Sequence, residues 1–243
     1  FNCYNKSASK ITENWSQKMS HNSRSLPYKT IIFDCDGVLL DSNQIKSNAF
    51  YETALPFGKK FAQQLLDYHR DNGGVSRNEK FKYFLTHIVQ KKIINLELSE
   101  LLSTYATLVV DGLNRCEICD GLELLRNQNI QSKWLVVSGG NEEEIKKVFD
   151  TKGISNFFDG GIFGSPKSKD TIFNELIKSQ GIQFPAIYIG DSRYDHQVAI
   201  SHLVDFIFVY GWTEFKTWKS YCKKHSIPSV KRVSDIDNYF KLK

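Results

Sequence analysis

Two rhythms of apolar positions divide the chain. Short unbroken runs recur at Thr30-Ile31-Ile32-Phe33, Trp134-Leu135-Val136-Val137, Ala186-Ile187-Tyr188-Ile189 and from Phe206 to Tyr210. Each is too short for a helix and lacks the alternation of a half-exposed strand, so each predicts a parallel strand buried on both faces. Elsewhere apolar residues recur at helical spacing. Leu122 to Asn129, Asp170 to Ser179 and Gln197 to His202 alternate with the strands, and two further helical stretches lie at about 214–224 and 235–241. Strands and helices in alternation predict right-handed βα units on a parallel sheet.

One interval breaks that alternation. From Asn43 to about residue 112 the pattern is helical throughout: Asn43 to Leu55 up to Pro56, Phe61-Ala62-x-x-Leu65-Leu66, Phe81-x-x-Phe84-Leu85-x-x-Ile88-Val89, and Leu98-x-x-Leu101-Leu102-x-x-Tyr105. The turn-rich Asp71-Asn72-Gly73-Gly74-Val75-Ser76-Arg77 separates the second of these from the third. Such a length is too great for a plain crossover. The expected architecture is an α/β fold, a Rossmann-like doubly wound parallel sheet core, residues 29–42 and 113–243, with an inserted all-helical cap domain, residues 43–112. Residues 1–28 read as a flexible tail, Ser-, Asn- and Lys-rich without apolar periodicity. Met19, the only methionine, stands about ten residues before the first strand and is the expected native start.

At 243 residues and 41% hydrophobic content the chain has ample material for a packed interior. No apolar run approaches the ~18 residues of a membrane span, so no membrane partner is expected. The net charge of +5 sits at the ends, about +4 over residues 1–29 and about +5 over 211–243, leaving the middle near −4. A nucleic-acid reader concentrates basic residues on its folded core, so nucleic acid is not an expected partner. Five scattered cysteines, an odd number, suit a reducing cytoplasm better than a disulfide scaffold. Cys116-x-x-Cys119 lacks the second pair that a structural zinc site needs.

Candidate chemistry gathers just past the strand ends, where open α/β sheets place their ligands. Asp34 and Asp36 follow the first strand, separated by Cys35 and followed by Gly37. Two crowded carboxylates cost free energy unless a shared proton or a cation offsets them, and Mg²⁺, a hard cation with oxygen ligands, is the usual one. Ser138-Gly139-Gly140 ends the second strand ahead of Asn141 and three glutamates, an expected capping box with Glu144, and this strand-to-helix junction suits an anion. Lys167 and Lys169 precede a helix start, where the dipole disfavours cations, which suggests that one is held for an anion. Asp191 and Asp195 follow a further buried strand and can meet the first pair across the top of the sheet.

Taken in order, these strand-end signals resemble the haloacid dehalogenase superfamily of hydrolases, in its phosphatase branch with a helical cap inserted after the first strand. Asp34-Cys35-Asp36-Gly37-Val38-Leu39 is similar to the first family motif, Val136-Val137-Ser138 to the second, and Gly190-Asp191-Ser192-Arg193-Tyr194-Asp195 to the fourth. The third departs from the pattern: Ser-Pro-Lys-Ser-Lys stands where many capped members have Lys-Pro-x-Pro, with Lys169 the better match and Lys167 the alternative. The resemblance covers about residues 29–210.

It implies Mg²⁺-dependent phosphoryl transfer from a small phosphorylated metabolite, a sugar phosphate being one such, through an aspartyl-phosphate. Asp34 is then the nucleophile and Asp36 the acid and base. Asp34, the Asp36 backbone carbonyl, Asp191 and, in support, Asp195 form the metal site. Ser138, the Gly139 N–H and Lys169 hold the phosphoryl oxygens. Arg77 and Lys80, beside the Gly73-Gly74 break, are candidate contacts to an anionic substrate. Competing readings are a phosphomutase of the same family, a phospho-accepting signalling module and a catalytically silent binding protein.

Overall fold

The computed structural model describes residues 25–90 and 95–241. Met19 and the greater part of the expected tail lie outside them. Six strands form one parallel sheet: β1 (Thr30–Phe33), β2 (Lys133–Asn141), β3 (Gly161–Ser165), β4 (Ala186–Gly190), β5 (Asp205–Val209) and β6 (Ser229–Val230). Their order is β3-β2-β1-β4-β5-β6, so the first strand is central and the chain winds outward from it in both directions. This is the doubly wound topology, and its switch point lies between β1 and β4.

Strict alternation along each central strand supplies two cores. Ile31, Phe33, Trp134, Val136, Ile187 and Ile189 face one layer. Ile32, Leu135, Val137, Ala186, Tyr188, Phe206 and Phe208 face the other. Burial on both faces explains why these strands read as continuous apolar runs. Helices α5 (Leu122–Gln128) and α6 (Glu142–Lys152) supply Leu122, Leu125, Ile145 and Phe149 to the first layer. Helices α7 (Lys169–Lys178), α8 (Arg193–Ser201) and α9 (Trp218–Lys224) supply Ile172, Phe173, Val198 and Cys222 to the second. The short helix α10 (Ile236–Lys241) returns to the first layer through Ile236.

Between β1 and α5 every described element is helical: α1 (Asn43–Ala54), a 3-10 turn, α2 (Lys59–Asp71), α3 (Arg77–Tyr83) running into a π turn over Phe84–Ile88, and α4 (Asn95–Arg115). Phe50 of α1 packs its ring 5.2 Å from Phe81 of α3 and 4.5 Å from Tyr105 of α4, which ties the insertion together. Helix α4 continues past residue 112 to Arg115, so a helix, not a loop, carries the chain back towards the sheet.

Several local expectations shift. Residues 25–28 dock on the sheet layer: Leu26 is buried, its N–H donates to Asn129 Oδ1 at 2.7 Å, and Tyr28 donates to Asp205 at 2.9 Å. Helix α8 begins four residues earlier than its apolar spacing suggests, because Ser192 and Asp195 form a reciprocal capping box. At α6 the reverse occurs. Asn141 caps the Glu144 N–H at 3.0 Å, but the Glu144 carboxylate is taken by Arg77. The two-residue strand β6 carries no periodicity and was not foreseen. No helix among the described residues is long and apolar enough to cross a membrane.

Phe33 lies at the centre of this arrangement, fully buried, with its ring 4.7 Å from Trp134 and 5.9 Å from Phe158. Phe33→Ala leaves a cavity under the central strand and is expected to cost about 3–5 kcal/mol of unfolding free energy, measured by denaturant titration.

Candidate active site

Register brings the chemistry together. Phe33 of β1 pairs with Val136 of β2 on one side and with Ile189 of β4 on the other, so the residues just beyond them emerge side by side. The Asp34 N–H donates to the Ile189 carbonyl at 2.8 Å, which fixes the first acid against the strand carrying Asp191. The chain then folds into a tight loop, with Leu39 and Leu40 N–H both on the Cys35 carbonyl and Gly37 N–H on Leu40. Gly37 adopts φ +78°, and a Cβ there would stand 2.1 Å from Asp191 Oδ2. Only glycine lets the loop pass this close to the second acid.

Asp34, Asp191 and Asp195 are all buried and present carboxylate oxygens within 4.8 Å of one another. Lys169 stands among them, its Nζ 2.8 Å from Asp34 Oδ1, 2.5 Å from Asp195 Oδ1 and 2.8 Å from the Tyr188 hydroxyl. The contact to Asp34 is off the hydrogen-bonding direction, and Asp34 Oδ1 remains a buried acceptor without a hydrogen-bond partner. Asp195 is saturated by contrast: Oδ1 meets Lys169 and Tyr188, while Oδ2 accepts from the Ser192 N–H and hydroxyl. Asp191 is anchored by the Asn43 side-chain amide, which donates to its Oδ2 at 2.8 Å and to the Trp212 carbonyl at 3.0 Å.

Electrostatics follow from this crowding. Burial, only partly opposed by the Lys169 charge, pushes the Asp34 pKa up, with Asp195 and Asp36 adding to the rise. Burial, then the charges of Asp34 and Asp195, push Asp191 well up. Burial would lower the Lys169 pKa, but Asp195 and Asp34 outweigh it and keep the ammonium charged. Three carboxylates therefore share one lysine, and the site is short of positive charge.

Asp36 belongs to a different set. Its Oδ1 accepts from Ser42 and its Oδ2 from Lys46, both at 2.6 Å. Burial raises its pKa, yet the Lys46 charge and these two hydrogen bonds overcome that and hold it below the ordinary carboxylate value. Asp34 and Asp36 line one cavity with Asn43, Lys46, Phe50, His69, Arg77, Lys80 and Tyr105 from the insertion, and with Gly139, Gly140 and Asp191. The Gly73-Gly74 turn lies over its rim: a Cβ at Gly139 would stand 2.1 Å from the Gly74 carbonyl, and one at Gly74 would stand 3.4 Å from Lys169 Nζ.

The residues singled out in the sequence fall unequally around this cavity. Lys169 is buried at the acids, whereas Lys167 is exposed and pairs with Glu175. Ser138 is buried, and its hydroxyl accepts from the Gly140 N–H at 3.0 Å. Strand β2 runs on through it to Asn141, with a register shift after Val137 that turns Gly139 and Gly140 to the cavity. Arg77 pairs with Glu144 at 3.0 Å and lies 5.3 Å from the Tyr105 ring. Lys80 is buried beside His69. Asn43, Lys46, Tyr188 and Ser192 were not anticipated. A signal existed for the first two, because Asn43, Lys46 and Phe50 share one helical face and put polar groups where a core stripe would be apolar. Tyr188 reads simply as strand core. Cys116 and Cys119 join no group of three metal-ligating side chains among the described residues.

Comparison with known proteins agrees with this arrangement. The family described as haloacid dehalogenase-like hydrolase matches residues 31–209. The chain belongs to the haloacid dehalogenase-like hydrolases. Similar solved structures include a predicted phosphatase from Clostridium acetobutylicum, 18% identical, covering 89% of this chain and 99% of that one, TM-score 0.68. A haloacid dehalogenase-like family hydrolase from Streptococcus pneumoniae is 19% identical, covering 87% and 98%, TM-score 0.63. CbbY from Rhodobacter sphaeroides, in complex with phosphate, is 16% identical, covering 86% and 96%, TM-score 0.63. At these identities the likeness is one of fold. No curated protein matches the sequence.

The donor set fits a hard divalent cation: carboxylate oxygens at close quarters, a buried oxygen on Asp34 without a hydrogen bond, and a loop whose glycine leaves Asp191 room. Because the Asp34 and Asp191 pKa values are raised above the ordinary carboxylate range, a proton remains in the cluster as pH falls towards neutrality and below, and a cation must expel it. Mg²⁺ binding is therefore expected to weaken as pH is lowered and to release protons. Calorimetric titrations in two buffers of different ionisation enthalpy check this, and a buffer-independent heat would contradict it.

Proposed function

We propose that the chain is a Mg²⁺-dependent phosphatase that hydrolyses a small phosphorylated metabolite through an aspartyl-phosphate on Asp34. The observation that carries this reading is Asp34 itself, a buried carboxylate whose Oδ1 is ion-paired with Lys169 but accepts no hydrogen bond, facing a second acid across the strand ends. Asp34 and Asp191 would hold the metal with the Asp36 backbone carbonyl, and Asp195 would serve by fixing Lys169. When bound, the ion supplies positive charge that offsets repulsion between the carboxylate and the phosphate and keeps Asp34 ionised.

The chain's own groups account for the rest. An Asp34 oxygen attacks phosphorus as the ester oxygen departs, which replaces one difficult hydrolysis with two displacements. Lys169 and the Gly139 N–H receive the phosphoryl oxygens, and Ser138 beneath them shapes the turn. Asp36 gives a proton to the departing alcohol and takes one from the water that later cleaves the acyl phosphate, returning Asp34 and releasing inorganic phosphate. Lys46 favours the ionised form of Asp36, the form that accepts from water. Proton donation to the alcohol therefore needs Lys46 to loosen its hold, which gives α1 a role in timing the two steps.

Asp34→Asn keeps the shape but removes the nucleophile. Turnover of a generic aryl phosphate with Mg²⁺ is expected to fall by at least about 10³-fold, with the melting temperature retained. Near-normal phosphate release by this variant would overturn the assignment, and isomer formation in place of phosphate release by the wild type would point to a mutase. Lys46→Met removes the charge that depresses the Asp36 pKa, so both limbs of the pH–rate profile are expected to move to higher pH. An unmoved profile would show that Lys46 does not set the Asp36 proton affinity.

A further inference from the structure

The cavity holds four cationic side chains from the insertion, and three of them have carboxylate partners. Lys46 pairs with Asp36 at 2.6 Å, Arg70 with Glu214 at 3.3 Å and Arg77 with Glu144 at 3.0 Å. Lys80 is the exception. It is 2% exposed and, among the described residues, forms no ion pair with a carboxylate. Among the described residues its side chain makes one hydrogen bond, with His69 Nδ1 at 2.8 Å, and its nitrogen lies 5.4 Å from the centre of the Phe50 ring.

An ammonium carries three donors, and an imidazole nitrogen satisfies one. His69 cannot act as a counterion. Burial and the neighbouring charges of Lys80, Lys46 and Arg70 hold its pKa well below the usual value, so the ring is neutral. Burial, then the Lys46 charge, press the Lys80 pKa down to about 7. A buried lysine without a counterion relieves the cost of its charge by giving up its proton, and an anion entering the cavity would restore the ammonium by serving as its counterion.

We propose that Lys80, positioned by His69, binds a second anionic group carried on the alcohol side of the phosphate ester. The inference rests on the phosphatase reading, which assigns the phosphoryl end to Asp34, Lys169 and Gly139. What reaches the insertion must then be the alcohol. Arg77, the other basic residue of this helix that lines the cavity, is held by Glu144 and by the Tyr105 ring, so it forms the wall and not the recognition point. Lys80 lines the same cavity as Asp34 and Asp36 and feels the charges of Asp36 and Lys169, which favours a short carbon spacer between the two anionic groups. The substrate class is a small phosphomonoester of a hydroxy acid or of a phosphorylated diol, a carboxylate and a second phosphate presenting the same chemistry to an ammonium.

A matched series tests it on the full chain with Mg²⁺: ethyl phosphate, phosphoglycolate, and ethylene glycol bisphosphate. These share the reacting ester and differ in what the second carbon carries. The wild type is expected to prefer at least one anionic ester over ethyl phosphate by about tenfold or more in kcat/KM, and the preferred one separates carboxylate from phosphate. In Lys80→Met the ratio is expected to collapse towards one, through KM for the anionic ester, while Lys80→Arg retains it. A purely structural role would lower all three substrates together and leave the ratio unchanged, which overturns the proposal. Should Lys80→Met not fold, the wild-type ratio decides alone, and a ratio near one overturns it. No Mg²⁺-dependent release from any ester or from an aryl phosphate would instead remove the phosphatase reading, and this inference with it.

Discussion

Mutual repulsion among buried carboxylates at the centre of the sheet is the constraint on which the rest depends. Asp34, Asp191 and Asp195 come from two neighbouring strand ends and from the helix that follows the second. Lys169 enters from the helix after β3 and is wholly enclosed. One cation among three anions is an unstable proportion in a low-dielectric setting, and the raised pKa values of Asp34 and Asp191 express it. Division of labour follows from hydrogen bonding. Asp195, with four contacts on its two oxygens, is fixed as the anion that locks Lys169 and caps α8. Asp34 Oδ1 has its ion pair with Lys169 and no hydrogen bond, which leaves Asp34 less fixed than Asp195.

The insertion answers the core in charge as well as in shape. Core strands contribute acids; the helices between β1 and β2 contribute Lys46, Arg70, Arg77 and Lys80 to the same cavity. Lys46 is directed at Asp36, and Asn43 from the first turn of the same helix is directed at Asp191. Helix α1 thus touches both acid sets from one face, two positions less than one turn apart. Displacing that helix would release Asp36 and loosen Asp191 together. The Gly74 carbonyl leaves no room for a Cβ at Gly139, so at the opposite rim the insertion and the core meet backbone against backbone.

How much of this the sequence discloses depends on whether a residue's neighbours are local. Strands β1, β2, β4 and β5 were legible because two-sided burial makes an apolar run, and the acids were legible because they interrupt such runs at fixed places. Lys169 could be preferred to Lys167 only through the resemblance; the structure separates them by burial, one inside the acid cluster and one exposed against Glu175. The Asp36–Lys46 pair joins residues ten positions apart across a loop and a helix start, and no periodicity reports it. Tyr188 illustrates the limit in the other direction. Its ring belongs to the strand core while its hydroxyl sits between Lys169 and Asp195, so one residue serves packing and the site, and only the first role leaves a trace in the pattern.

Arg77 and Lys80 show why proximity in sequence is a weak guide to proximity in role. Both belong to one short helix capped by Ser76, three residues apart and on the same side. Arg77 has a planar, delocalised charge that an aromatic face and a carboxylate can satisfy together, and Tyr105 and Glu144 do so. Lys80 has a compact charge that needs close oxygen acceptors, and the surrounding groups are a neutral imidazole and a phenyl ring. The same helix therefore presents one cation that completes the wall and one that the protein leaves incomplete. In a cavity where every other inward-facing cation of the insertion has an acidic partner, that incompleteness is what marks Lys80 for a ligand.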